Sequence, residues 1–379
     1  MLAMQFSDVI GQTRIKERLI NSARTGRVSH AQMIIGNEGA GGLPLALAYA
    51  TYLSCTNKQG QDSCGKCPSC IKYAKLEHPD LHLFFPNNTT KEIKKNPSSG
   101  QFVNEWRKAV LKSPYLNLSD WLNELGIGNK IGLLREQDSA EIVATTNLKT
   151  YESEYRIVLV WMAEKMNKHC ANKILKVVEE PPPKTVFLLV VEDTENMLDT
   201  IQSRVQSVHL PPLNDEVMAE HLIKNHALDS QSAHNIALQS DGNYRMALKL
   251  LHSYDDNDIN EFFIRWMRLC FSGNPIELFK LADEFHALGR EQQTEWLQAA
   301  SNMLRKASIH RWQGNSGLVG DQAKFVANFA KFMNPTISTQ LLSMLDEAST
   351  QISRNAFAKI VLADMSFSIG GILRQKVVS

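Results

Sequence analysis

Short apolar strands alternate with helices over residues 1–209, and helices alone follow, which predicts a doubly wound parallel α/β domain with all-α domains behind it. Three observations carry this expectation. Ile157-Val158-Leu159-Val160 and the run 186–191 are unbroken apolar stretches, as strands covered on both faces of a parallel sheet read. The run 31–35 is a further buried-strand pattern, and it leads into a glycine-rich loop and then a helical stretch, with ligands expected at such carboxyl ends. From about residue 255 onward no strand pattern recurs.

Taken in order, residues 6–26 place Ile15, Leu19, Ile20 and Ala23 at near-helical spacing ahead of the strand 31–35. The loop Gly36-Asn37-Glu38-Gly39-Ala40-Gly41-Gly42-Leu43 keeps the glycines of the phosphate-binding frame G-x-x-x-x-G-K-[ST] and loses its last two positions. Gly42 stands where a lysine would reach phosphate, Leu43 where a hydroxyl would hold Mg²⁺, and Glu38 adds a negative charge. A charge-assisted hydrogen bond of that kind is worth about 1.5–3 kcal/mol. The loop is therefore expected to keep its backbone shape, which the glycines serve, without binding ATP. A polar stretch, 87–100, and a Trp-bearing helical piece, 102–125, read as a partly ordered surface insertion with Lys91, Lys94 and Lys95 in a solvated loop. Pro211-Pro212-Leu213 marks a boundary. Residues 210–254 are expected to form a small helical domain and 255–379 an all-α domain, with amphipathic helices at 260–269, 276–288, 294–309, 325–333 and, with breaks, 337–374.

Composition narrows the class. The 379 residues are 43% hydrophobic and 21% charged, with a formal net charge of +1, so the global basic field of an autonomous duplex binder is absent. The longest apolar run, 157–163, falls well short of the ~20 residues a membrane span requires. The N-terminus lacks a basic region and an apolar core of signal type, so a cytoplasmic protein is expected. Four of six cysteines, Cys55, Cys64, Cys67 and Cys70, follow the spacing C-x8-C-x2-C-x2-C with turn formers between them. In a reducing compartment this pattern favours one structural, tetrahedral Zn²⁺ over disulfides, with an iron–sulfur cluster as the alternative, and four thiolates leave no open catalytic position. Cys170 and Cys270 stand alone and read as buried packing.

The order of motifs resembles the clamp-loader branch of the AAA+ ATPases, and within it the delta-prime family of bacterial DNA polymerase III. Val9-Ile10-Gly11-Gln12, Ser29-His30-Ala31, the four-cysteine module and Glu77-His78-Pro79-Asp80-Leu81 all match. The most specific stretch is Ala171-Asn172-Lys173-Ile174-Leu175-Lys176-Val177-Val178-Glu179-Glu180-Pro181-Pro182. Ser203-Arg204-Val205 resembles the family's S-R-C, and Gly242-Asn243-Tyr244-Arg245 its second sensor. The resemblance implies a P-loop AAA+ core, a lid domain at 210–254 carrying Arg245, and a C-terminal collar at 255–379. It also implies membership of a hetero-oligomeric ring with ATPase subunits and delta, acting on the sliding clamp and primer-template DNA. An active motor of this branch ends its second core strand in an acidic pair. Counting back from Asn172, those positions are Trp161 and Met162. Val191-Glu192 likewise stands where a polar sensor would be. Loop, acidic pair and sensor are lost together, which fits a non-hydrolysing stator supplying Arg204 in trans. The alternatives are an active motor, opposed by Gly42-Leu43 and Trp161-Met162, and an unrelated zinc-containing nucleic-acid binder, opposed by the balanced charge.

Overall fold

The strands β1 (Ala31–Ile35), β2 (Leu81–Phe84), β3 (Arg156–Trp161), β4 (Thr185–Val191) and β5 (Gln206–His209) form one parallel sheet in the order β2-β3-β4-β1-β5. This is a computed structural model that describes residues 4–128, 130–253, 258–313 and 320–378. Its residues fall into two compact units, Met1–Leu250 and Leu251–Ser379. The 254/255 boundary expected from sequence lies outside the described residues.

Strand periodicity divides the first unit into two apolar layers. Ile157, Leu159 and Trp161 of β3, with Val186, Leu188 and Val190 of β4, face one layer; Val158, Val160, Phe187, Leu189 and Val191 face the other. The first layer is covered by α1 (Thr13–Arg24), α2 (Gly42–Ser54) and α3 (Pro68–Tyr73), joined by α4 (Val103–Lys112) and α5 (Leu118–Glu124). The second is covered by α6 (Glu136–Thr146), α7 (Lys168–Glu179) and α8 (Asp199–Gln202). The unit ends with α9 (Asp215–His226), α10 (Ser230–Ser240) and the first turns of α11 (Tyr244–Ser253). Asx caps start several of these helices: Asn167 Oδ1 accepts the Cys170 N–H at 2.8 Å, and Asn214 and Asp229 do the same for α9 and α10.

The surface insertion expected from sequence is corrected by burial. Lys91, Lys94 and Lys95 are exposed, but Asn87, Ser99 and Asp138 are fully buried. Asp138 binds the stretch in place, accepting from Ser99 N at 2.7 Å, Ser99 Oγ at 2.8 Å and Arg135 N at 2.9 Å. Trp106 of α4 and Trp121 of α5 lie inside the core, stacked on and edge-on to Phe85, and Trp121 Nε1 donates to the Pro86 carbonyl at 2.7 Å. Truncating either indole to alanine would cost on the order of 3–5 kcal/mol. The segment is thus part of the domain's apolar layer, because its tryptophans have nowhere else to be buried.

The second unit contains α12 (Asp258–Ser272), α13 (Pro275–Ala287), α14 (Arg290–Gln313), α15 (Gly320–Phe329), α16 (Pro335–Ser353) and α17 (Ala358–Val378). Asn274-Pro275 and Asn334-Pro335 supply cap and first-turn proline for α13 and α16. Trp266, Trp296, Phe285, Leu304 and Leu341 build its core, and Trp266 Nε1 donates to Ser366 Oγ at 2.8 Å. Close approach of α17 to α12 requires Gly370, where a Cβ would stand 2.3 Å from the Cys270 carbonyl oxygen. No described helix is long and apolar enough to cross a membrane.

Candidate functional site

The glycine loop leaves β1 at the carboxyl end of the sheet and turns into α2. Gly39 and Gly41 hold φ of +75° and +96°, and a Cβ on Gly39 would stand 2.0 Å from Asn243 Oδ1. Gly41 lies under the Tyr115 ring. The two glycines thus carry left-handed backbone, and the side chains of Asn243 and Tyr115 stand against them. Leu43 is buried, and any side chain at Gly42 would press its Cβ to 3.1 Å from Val190 Cγ1. Glu38, read from sequence as a misplaced charge, is fully employed. Its Oε2 accepts from Asn117 Nδ2 at 3.0 Å, and its Oε1 accepts from Asn243 Nδ2 at 3.2 Å and Arg245 Nη1 at 3.1 Å.

At the end of β3, Trp161 faces the layer containing α4, and its ring centroid is 4.7 Å from that of Trp106. Met162 is buried and takes a left-handed φ of +52°, a conformation costing of order 1–3 kcal/mol for a side chain of this kind. Two carboxyls follow nearby. Burial, and then the charges of Glu38 and Glu164, push Glu192 up to about 8. Burial also pushes Glu164, which is 5% exposed, up to about 7. Glu164 was missed in the sequence, since an acid two residues beyond Met162 has no motif of its own.

Arg245, at the start of α11, is 6% exposed. Its Nη2 donates to Asp120 Oδ1 at 2.7 Å, its Nε donates to Asp120 Oδ2, and Glu38 takes its Nη1. Burial disfavours the Asp120 carboxylate, but hydrogen bonds and charge from Arg245 and the N–H of Asn117 outweigh this and hold its pKa below the usual range. Asp120 and Asn117 were also missed: they lie 125 and 79 residues from their partners, and local pattern carries no trace of such pairings. Tyr115 completes the group. Its hydroxyl accepts the Ile10 N–H at 3.0 Å and its ring meets Tyr244 edge-on at 4.8 Å.

Arg204 lies apart from this cluster, just after α8. Its side chain is 36% exposed; Nε donates to Glu179 Oε2 at 2.8 Å, and Nη1 donates to the Thr200 carbonyl at 2.9 Å. The cysteines form the third group. The four Sγ atoms lie within 4.8 Å of one another, with 4.0 Å between those of Cys55 and Cys67. A tetrahedral ion with ~2.3 Å bonds to sulfur separates its ligands by roughly 3.8 Å. Backbone N–H groups of Cys64, Cys67 and Cys70 donate to the sulfurs of Cys55, Cys64 and Cys67 at 3.3, 3.3 and 3.4 Å. The arrangement can hold a metal ion.

A family model described as DNA polymerase III, delta subunit, matches residues 11–214, more than half of the chain. The chain belongs to this family. Among DNA polymerase III relatives, the delta' subunit of Bacillus subtilis is 29% identical over 213 residues, 56% of this chain and 51% of that protein. The delta' subunit of Haemophilus influenzae is 27% identical over 274 residues, covering 71% and 68%. The chain thus spans about half the length of the first relative. A DNA polymerase III gamma subunit-related protein of Thermotoga maritima, solved by crystallography, is similar over 95% of this chain and 99% of its own at 14% identity and a TM-score of 0.43.

Proposed function

We propose that this chain is a delta-prime-type subunit of the bacterial polymerase III clamp loader, with an AAA+ core that does not hydrolyse ATP and an arginine, Arg204, that completes the site of a neighbouring ATPase subunit. The observation that carries the first half is Trp161. The position from which a motor would bind Mg²⁺ through a carboxylate is an indole packed on Trp106 within the apolar layer. Catalysis of phosphoryl transfer is largely positioning and charge neutralisation around the metal and phosphates. An indole there, glycine in place of the loop lysine, and a buried Leu43 supply none of it. A rigid, non-cycling subunit serves as the stator against which the motors move.

Arg204 fits the second half because its own site is closed to nucleotide while its guanidinium is partly exposed. Glu179 and the Thr200 carbonyl orient it, leaving the outer nitrogen for a phosphate brought by another subunit. The all-α unit would hold the chain in a ring with the ATPase subunits and delta, which together load the sliding clamp on primed DNA in the cytoplasm. The four cysteines would carry one zinc ion, because four thiolates suit Zn²⁺ and leave no open coordination position; its part is to fold residues 55–73.

The test is reconstitution. The purified chain should show no ATP turnover above background, should copurify with the other loader subunits, and should be needed for clamp loading. Turnover that comigrates with the purified chain would overturn the non-hydrolysing role, and failure to join the loader would overturn the assignment as a whole.

A further inference from the structure

Resting on the closed nucleotide site just proposed, a second consequence follows from who closes it. The groups around Arg245 come from three separate parts of the first unit: Glu38 from the glycine loop, Asp120 from the inserted helix α5, and the arginine itself from α11. Two carboxylates on one buried guanidinium present two negative charges and a planar fork of acceptors, which is how a terminal phosphate presents itself to arginine. We propose that the inserted segment is the permanent occupant of the nucleotide site: Asp120, with Glu38, takes the guanidinium that a terminal phosphate would take and so holds α11 against the glycine loop without any ligand.

The surrounding contacts agree with an occupant that is built in. Tyr115 from the same insertion lies over Gly41, ties its hydroxyl to the Ile10 N–H, and packs edge-on against Tyr244, the residue before Arg245. Tyr244 N–H reaches the Gly39 carbonyl at 3.3 Å, and Asn243 fills the space beside Gly39. Asn117 ties the insertion to Glu38 directly. Loop, insertion and α11 are therefore closed on one another through Arg245, Glu38 and Tyr115. Where a motor's lid tightens on nucleotide and relaxes on its loss, this one has nothing to lose.

The decisive measurement is a double-mutant cycle with hydrogen exchange on the full chain. Asp120→Asn keeps the shape and the acceptor for the Asn117 N–H while removing the charge; Arg245→Gln removes the partner. Each single variant should lower the melting temperature, and the double variant should melt no lower than the worse single, because both remove the same interaction. In Asp120→Asn, amide exchange should quicken by roughly tenfold in both 36–43 and 243–250, segments far apart in sequence. Additive losses, or quickened exchange confined to 115–124, would overturn the lock. Should Arg245→Gln fail to fold, Arg245→Lys closes the cycle, since a lysine keeps the charge and loses the fork. Millimolar Mg-ATP added to wild type should leave exchange unchanged; protection by ATP would sink the closed site itself and so is distinguishable from failure of the lock.

Discussion

Arg204 and Glu192 give opposite lessons about single charged residues. Arg204 is partly exposed in a surface ion pair with Glu179, and pairs of that kind contribute about 0–1 kcal/mol. Arg204→Ala should therefore leave the melting temperature within a degree or two and complex assembly intact. On the role proposed above, its effect is read in the reconstituted loader, whose clamp- and DNA-stimulated ATP turnover should fall by an order of magnitude or more, since arginine fingers are worth roughly 10³–10⁵ where dissected. Arg204→Lys should recover little of it, and a wild-type rate in the alanine variant would remove the trans-acting role. Glu192, by contrast, should register in stability. Glu192 and Glu164 are raised to about 8 and about 7, so the folded chain keeps protons that the unfolded chain releases above the ordinary carboxyl value of 4.5. Their contribution is fully present below the unfolded value of 4.5 and is lost progressively as pH rises to the folded values of about 7 and about 8. Glu192→Gln does not titrate. It should match wild type near pH 5 and exceed it by on the order of 2 kcal/mol near pH 8.5, read from denaturant midpoints across that range. A constant gap would show that the carboxyls ionise freely.

Among the elements, the cysteine knuckle and the glycine loop carry the next two expectations. The knuckle rests on backbone N–H bonds to sulfur and little core of its own, so strong chelation at neutral pH should release about one metal equivalent and raise amide exchange over 55–73. The sheet, built from strands elsewhere, should persist, as far-ultraviolet circular dichroism would record. Restoring the loop by Gly42→Lys with Leu43→Thr should gain no ATPase. The new Cβ meets Val190 at 3.1 Å, threonine gives up a buried leucine, and Arg245 is already taken; a melting temperature several degrees lower with no turnover is the expected pair of readouts. How far elements were legible follows the same physics. β3 and β4 announce themselves because both faces are apolar, and the Asn-Pro starts of α13 and α16 are local chemistry. β5 was unreadable, since of its four residues only Val208 is buried and the strand exists through its pairing with β1. β2 is equally short, with His82 in its middle.

At the scale of the whole molecule, the four thiols and the degenerate loop could be read from residue types alone, while the Asp120–Arg245–Glu38 cluster could not, because it joins segments that only the folded chain brings together. The balanced composition, +1 overall, implies that DNA affinity should be weak in the isolated chain and arise in the assembled complex. A filter-binding titration of the lone chain with primed template should give no saturable binding at physiological salt, and tight binding there would revive a nucleic-acid-binding role. The distribution of aromatic residues has an optical consequence as well. All six tryptophans are described, three in each compact unit. Trp106, Trp121 and Trp161 sit with ring centroids 5.0 Å and 4.7 Å apart along the pairs that share Trp106, and Trp266 and Trp296 are 4.9 Å apart. Indoles this near to one another exchange excitation, so the strong far-ultraviolet indole band of each unit should show exciton coupling in circular dichroism. Trp312, at 70% exposure, alone is open to iodide. Trp312→Phe would leave a chain whose emission iodide does not reach until one unit opens, so that iodide quenching would report the opening of either unit without a label.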